Sequence, residues 1–207
     1  MHDALIVGAG PGGAATAHFL KRNNPGLDVL LVDRAAFPRD KTCGDGLTPR
    51  ALRVLDQMDL LADVAGQSCA VDAYEVVAPN GRTTRAPITA TPGALVIPRY
   101  TLDDLILRRA IASGARFEPD VAGSRVEPTQ AGVRLHATDG RTFDARVAII
   151  ATGAAFGLLT RSGILHQPPR AMLAARAYFE DLQQEVARSF QLRFDHVPQP
   201  GYGWIFP

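Results

Sequence analysis

The chain opens with a short apolar run, Ala4-Leu5-Ile6-Val7, that stops at GAGPGG. A continuous apolar run bounded by turn residues predicts a strand buried in a parallel sheet. Helix-compatible AATAHFLKR follows, then the turn-forming NNPG, then a second apolar run, Val29-Leu30-Leu31-Val32, closed by Asp33. Strand, helix and strand in this order make a βαβ unit. Farther on the hydrophobic period falls to two. VDAYEVVAPNGRTTRAPI predicts two strands around Asn80-Gly81, and GVRLHATDGRTFDARVAIIATG predicts two more around Asp139-Gly140, leading into a buried strand from Val147 to Ala151. Two helices are predicted between these segments. Thr48-Pro49 starts one, with Leu52, Leu55 and either Leu60 or Leu61 turned inward. The other has capping-box spacing at Thr101 and Asp104, a shared face of Leu102, Leu105, Ile106 and Ala110, and a stop at Gly114. At the end of the sequence Tyr202, Trp204 and Phe206 alternate with Gly203 and Ile205, so a strand there would turn three aromatic rings to one face. No internal repeat or low-complexity stretch is visible.

The first unit carries candidate chemistry. Gly8, Gly10 and Gly13 have G-x-G-x-x-G spacing, with Gly12 between them, and Asp33 stands 20 residues past Gly13. In a dinucleotide site Gly8 permits the turn, Gly10 lets a pyrophosphate approach the backbone, and Gly13 lets the helix lie close to the sheet. Free amides at the helix start attract negative charge, and Asp33 accepts from ribose hydroxyls. The bland alternative is a structural glycine turn with Asp33 as a solvated strand end. A simple nicotinamide-binding domain would return to a third parallel strand soon after Asp33. This chain instead inserts DRAAFPRDKTCGDGL and then antiparallel hairpins. The expected class is therefore α/β, with two intertwined layers, one holding nucleotide and one forming a substrate wall.

Composition narrows the partners. At 207 residues, 46% hydrophobic and 21% charged, the chain can bury a sizeable core in one or two domains. Its net charge is +1 with dispersed basic residues, which excludes the dense positive stripe that nucleic acid requires. Cys43 and Cys69 are too few and too far apart for a disulfide framework or structural zinc, and the five histidines lack ligand spacing, so no metal is expected. The first strand begins almost at Met1 and no apolar run reaches the roughly 20 residues of a membrane span. A cytoplasmic setting is expected, with peripheral membrane contact left open.

GAGPGG, DRAAFPRDKTCGDGL, RYTLDDLILRRAIASGA and GYGWIFP together resemble the geranylgeranyl reductase family of FAD-dependent flavoproteins, nearest the branch acting on isoprenoid chains of menaquinone or lipids. That family shares the fold of aromatic-ring hydroxylases and flavin-dependent halogenases, so the fold alone does not choose the reaction. The resemblance implies a Rossmann-like FAD-binding domain with a parallel sheet and β-meander (1–73 and 99–165), intertwined with a partial antiparallel-sheet substrate domain (74–98 and 166–207). It implies that Gly8, Gly10, Gly12 and Gly13 meet the FAD pyrophosphate and that Asp33, with Arg34 beside it, meets the adenosine. Cys43, Gly44 and Gly46 would line the flavin, Arg99 would face the cofactor, and Gly123 would give adenine a backbone contact. Tyr202, Trp204 and Phe206 would wall a polyprenyl cavity, where periodicity alone favours a core-facing strand.

Several readings stay open beside these. Cys43 is either flavin-side or merely a small packed residue, Arg39 and Lys41 are either phosphate-neutralising or solvated, and Arg99 is otherwise a surface charge. Where relatives often carry Asp-Gly, this chain has Ala151-Thr152-Gly153-Ala154, so one polar contact is lost or taken over by Thr152. Family members continue past the position of Pro207 into a Gly-Asp segment and a helical part, so the chain is expected to be a fragment or truncated product with its cofactor cleft open on one side. The implied reaction is hydride transfer from reduced FAD to an isolated alkene, with Cys43 and Tyr202 as candidate acids and NAD(P)H or a ferredoxin-like carrier as electron donor. The rivals are a flavin monooxygenase or halogenase, and an inactive flavoprotein remnant.

Overall fold

The computed structural model describes residues 1–170, 172–182 and 187–207. In chain order the first half holds β1 (His2–Val7), α1 (Pro11–Asn23), β2 (Val29–Val32), β3 (Gly46–Leu47), α2 (Pro49–Gln57), α3 (Leu61–Ala65), β4 (Cys69–Val71), β5 (Ala73–Val77), β6 (Thr83–Pro87) and β7 (Ala94–Val96). The second holds α4 (Arg99–Ala112), β8 (Arg116–Glu118), β9 (Gly123–Thr129), β10 (Gly132–Ala137), β11 (Thr142–Ile150), α5 (Gly157–Arg161), β12 (Ser189–Arg193) and β13 (Gly203–Ile205). These elements form two compact units, 1–39 with 103–172 and 40–102 with 173–207.

The first unit is built on a six-stranded sheet ordered β8-β2-β1-β11-β10-β9. β8, β2, β1 and β11 are parallel, and β11, β10 and β9 form an antiparallel meander. Leu5, Ile6, Leu31 and Val32 are fully buried, which is why β1 and β2 read as unbroken apolar runs. Each such side chain contributes roughly 1.5–3 kcal/mol by leaving water. The Asp139-Gly140 turn joins β10 to β11, with Gly140 in the left-handed region at φ 90°. β11 departs from expectation: Val147 is 55% exposed and Ala148, Ile149 and Ile150 are half-buried, so its end is not a buried strand.

α4 starts at Arg99, two residues before Thr101, because the amides of Thr101 and Leu102 both donate to the carbonyl of Pro98. Thr101 is thus inside the first turn rather than at the cap. Leu102, Ile106, Leu107 and Ala110 are buried while Leu105 is only half-buried, and Gly114 ends the helix at φ 97°.

The second unit contains two sheets. One is β3-β7-β4; its register pairs Gly46 and Cys69 with Val96, which gathers 40–73 into this unit. The other is β13-β12-β5-β6, and it is mixed rather than antiparallel: β12 runs parallel to β5, with Phe190 opposite Tyr74. The reason is topological, since β12 returns from more than a hundred residues downstream and is not a hairpin partner of β5. α2 begins as its sequence predicts, with the Thr48 hydroxyl accepting from the Ala51 amide and Pro49 in the first turn.

Glycine is required at specific points. A β-carbon on Gly13 would lie 1.8 Å from the carbonyl oxygen of Gly8, and one on Gly8, at φ 108°, would lie 2.5 Å from that of Ala151. Gly12 is different, because its β-carbon would meet nothing within 4 Å. Gly13→Ala therefore lowers the unfolding free energy by about 3 kcal/mol through overpacking against backbone. Gly12→Ala changes it by no more than about 1 kcal/mol, toward greater stability, because alanine suits a helix better than glycine. Urea denaturation of the two variants measures the contrast.

Candidate functional site

In the first unit, the turn between β1 and α1 is held by a carboxylate from the end of β2. Asp33 accepts from the Ala9 amide at 2.7 Å through one oxygen and from the Ala35 amide at 3.0 Å through the other. A carboxylate has about four lone-pair sites, so two bonds leave acceptor capacity for a ligand. Gly10 is the N-cap of α1 with no side-chain cap, and Pro11 stands at the first helical position. The amides that follow lie where an α-helix leaves them without intrahelical partners, at the positive end of its dipole.

Asp33 and Arg34 line a cavity of about 370 Å³ with Val7, Gly123, Thr138, Thr152 and Arg161. Arg161, on α5, reaches over Gly123, donating to the carbonyls of Ser124 at 2.8 Å and Gly123 at 3.1 Å. The Thr152 hydroxyl donates to the Ala155 carbonyl at 3.0 Å, so its lone pairs rather than its proton remain for a bound group. Sequence reasoning missed Arg161 because its position over Gly123 depends on packing between α5 and β9.

Another unforeseen feature is a buried acid. Asp103 is wholly buried in α4 and pairs with Arg39, with Nη1 to Oδ2 at 2.9 Å, although the geometry is not that of a straight hydrogen bond. Arg39 also lies over the Phe37 ring, and its Nη2 is 3.3 Å from where a β-carbon on Gly10 would stand. The guanidinium is thus held beside the glycine turn. A signal existed: Asp103 falls on the buried stripe of Ile106, Leu107 and Ala110, where an unpaired charge would be prohibitive.

In the second unit, Cys43, Gly44, Asp45 and Gly46 form a turn against an aromatic wall. A β-carbon on Gly44 would lie 2.9 Å from the Phe206 ring and 3.2 Å from Trp204 Nε1. One on Gly46 would lie 2.8 Å from Phe190. The missing side chains of this turn accordingly make room for rings. A cavity of about 270 Å³ opens here, lined by the turn together with Tyr74, Phe190, Leu192, Tyr202, Trp204 and Phe206. Its rings touch in sequence: Tyr74 and Phe190 at 5.5 Å, Phe190 and Phe206 at 4.7 Å, Tyr202 and Trp204 at 6.0 Å. Cys43 is half-buried. Arg99, also half-buried, follows β7, whose Val96 pairs with Gly46. Lys41 is exposed.

Asp45, left-handed at φ 61°, is buried beneath this turn. Tyr178 donates to it at 2.6 Å and Arg176 at 3.0 Å. Although Tyr178 is 57% exposed as a residue, desolvation around its hydroxyl first, and the Asp45 carboxylate next, push the phenol above its ordinary value. The hydrogen bond with Asp40 leads in holding the Arg176 guanidinium above its own.

A glycine turn braced by a strand-end acid, opening on a cavity at the carboxyl ends of β1 and β2, defines a dinucleotide-binding protein of the α/β class. The chain belongs to the FAD binding domain family, which matches residues 1–155. It is 36% identical over 99% of its length to a menaquinone reductase of Mycobacterium tuberculosis, covering 52% of that protein. It is 26% identical over 99% of its length to digeranylgeranylglycerophospholipid reductase 1 of Methanopyrus kandleri, covering 54% of it. The chain thus spans about half the length of these relatives. Among solved structures, a myxobacterial chondrochloren halogenase superposes with a TM-score of 0.76 at 21% identity, covering all of this chain and 50% of that one. The halogenase superposition agrees with the expected α/β class.

The sign of the Tyr178 shift gives a pH prediction. A phenol raised above its unfolded value adds stability that is complete below the ordinary tyrosine pKa of about 10 and is lost as pH rises through the folded value. Ultraviolet titration of phenolate should therefore show a late step for Tyr178, and Tyr178→Phe should remove it.

Proposed function

We propose that the protein is the FAD-binding and substrate-contacting part of a reductase that saturates carbon–carbon double bonds in a geranylgeranyl or other polyprenyl chain. The observation that carries the reading is the aromatic cavity beside Cys43, which offers rings and methyl groups to a ligand and few polar demands. Each buried CH₂ of a prenyl tail contributes roughly 0.8 kcal/mol, so such a wall binds through length rather than through hydrogen bonds. The name of the Methanopyrus kandleri relative supports the same substrate class, and that of the mycobacterial relative supports a reductase.

The residues present fit FAD. Gly12 leaves open space at the α1 terminus, Asp33 retains acceptor capacity beside the cavity, and Arg39 stands next to Gly10. In this reading Gly8, Gly10, Gly12 and Gly13 hold the pyrophosphate, Asp33 and Arg34 the ribose, and Gly123 the adenine. Arg161 closes over that last contact, and Arg39, held by Asp103, adds positive charge. Cys43, Gly44, Gly46 and Arg99 serve the isoalloxazine end. When bound, FAD supplies the hydride.

An unactivated alkene has no oxygen to polarise, so the chain's own task is alignment, exclusion of water and delivery of a proton. Trp204, Phe206 and Phe190 align the tail, and Cys43 Sγ or Tyr202 Oη delivers the proton. NAD(P)H or a ferredoxin-like carrier completes the cycle as electron donor. Because polyprenyl substrates partition into bilayers, peripheral membrane contact belongs to the same reading. No helix among the described residues is long and apolar enough to cross a membrane.

The test mixes FAD-loaded, reduced protein with geranylgeranyl compounds in the absence of oxygen. Oxidised flavin absorbance should return in step with loss of one double bond per flavin. Absence of reoxidation with several polyprenyl compounds, or substrate-dependent oxygen uptake yielding a hydroxylated or halogenated product, would overturn the proposal.

A further inference from the structure

Residues 173–182 form neither helix nor strand, yet they contribute a buried guanidinium contact to the Cys43 turn. The Arg176 side chain is only 9% exposed and meets two carboxylates of one loop. Its Nη1 donates to the Asp45 oxygens at 3.0 and 3.3 Å, and its Nη2 donates to Asp40 Oδ2. Asp40 lies three residues before Cys43 and Asp45 two residues after it, so a single planar group closes the loop on both sides of the thiol. Tyr178 completes the arrangement. Its hydroxyl donates to Asp45 at 2.6 Å, and its ring lies 4.2 Å from the Arg176 guanidinium carbon. From the other side the Asp45 carbonyl accepts from the Ile97 amide at 3.0 Å.

Burial explains why this contact matters to the loop. The Asp45 side chain is 4% exposed and its backbone is left-handed, so the turn holds its shape only while that carboxylate is satisfied. The strap has little apolar burial of its own, because Leu173, Phe179 and Leu182 are all exposed. Its ionic end can therefore open locally, without loss of the surrounding sheets.

We propose that Arg176, assisted by Tyr178, is a latch that sets the conformation of the Cys43–Gly46 turn and so controls access to the Cys43 thiol. Arg176 is a positioning residue, acting on Cys43 through Asp40 and Asp45. Lysine replaces it only in part, because an ammonium is a point charge and lacks the fork that spans two carboxylates. The latch is a property of the turn and stands whether or not the turn faces a flavin.

The test uses a Cys69→Ser background, in which Cys43 is the sole thiol, and follows its reaction with Ellman's reagent at fixed pH. Arg176→Gln should accelerate the reaction roughly tenfold and Arg176→Lys should recover only part of the protection. Tyr178→Phe, which removes one oxygen, should accelerate it about two- to threefold. Hydrogen exchange should quicken in Cys43–Leu47 while amides of β1 and β11 keep their protection. Unchanged thiol rates would overturn the proposal, as would faster exchange spread evenly over β1 and β11, which would mark a loss of overall stability. Should Arg176→Gln fail to fold, Tyr178→Phe decides alone, and a parental rate in that variant overturns the latch.

Discussion

A β-carbon on Gly13 would stand 1.8 Å from the Gly8 oxygen, so α1 meets the end of β1 at a separation that only glycine allows. That contact fixes where the helix points. It carries the α1 terminus to the carboxyl end of β1, and it lets the Ala9 amide reach Asp33 at the end of β2. β1 is thereby tied to β11 on one side and β2 on the other, with the turn closed by the acid. The cavity beside Asp33, the cover that Arg161 provides and the place of Arg39 beside Gly10 all depend on this geometry.

The second unit uses the same constraint for another purpose. At Gly44 and Gly46 the missing side chains face aromatic rings, so close approach there serves a wall of Phe190, Trp204 and Phe206. The turn that carries Cys43 is thus pressed from one side by rings and held from another by Arg176 and Tyr178. A buried carboxylate and a left-handed backbone lie between them. Ring contacts and a buried ion pair thus support the same turn from two directions.

Legibility in the sequence followed the range of the interactions. β1, β2 and the α2 cap are local: unbroken apolar runs and Thr48-Pro49 specify them before any tertiary contact forms. Both hairpin turns were legible for the same reason. The parallel pairing of β12 with β5 was not, because no local pattern states which distant strand will fill a sheet edge. α4 began earlier than its Thr101 and Asp104 spacing suggested, since the Pro98 carbonyl already accepts the first helical bonds.

The site divided in the same way. Gly8, Gly13 and Asp33 announce themselves through spacing, whereas Arg39 with Asp103, Arg161 over Gly123, and Arg176 on Asp45 join residues far apart in the chain. Of these, only Asp103 left a local trace, as a charge on an apolar helical stripe. The glycines at 44 and 46 were legible as a need for small residues, but the surface they approach was not. Their partners come from β12 and the end of the chain.

The account turns on the adenylate half of FAD resting at the α1 terminus and beside Asp33. Titrating the protein with ADP while following backbone amide resonances tests this most directly. The account predicts that shifts concentrate at Ala9, Gly10, Gly12, Gly13 and Gly123, and that Asp33→Ala abolishes them. Saturable shifts confined to the second unit, or unaltered binding in Asp33→Ala, would contradict it.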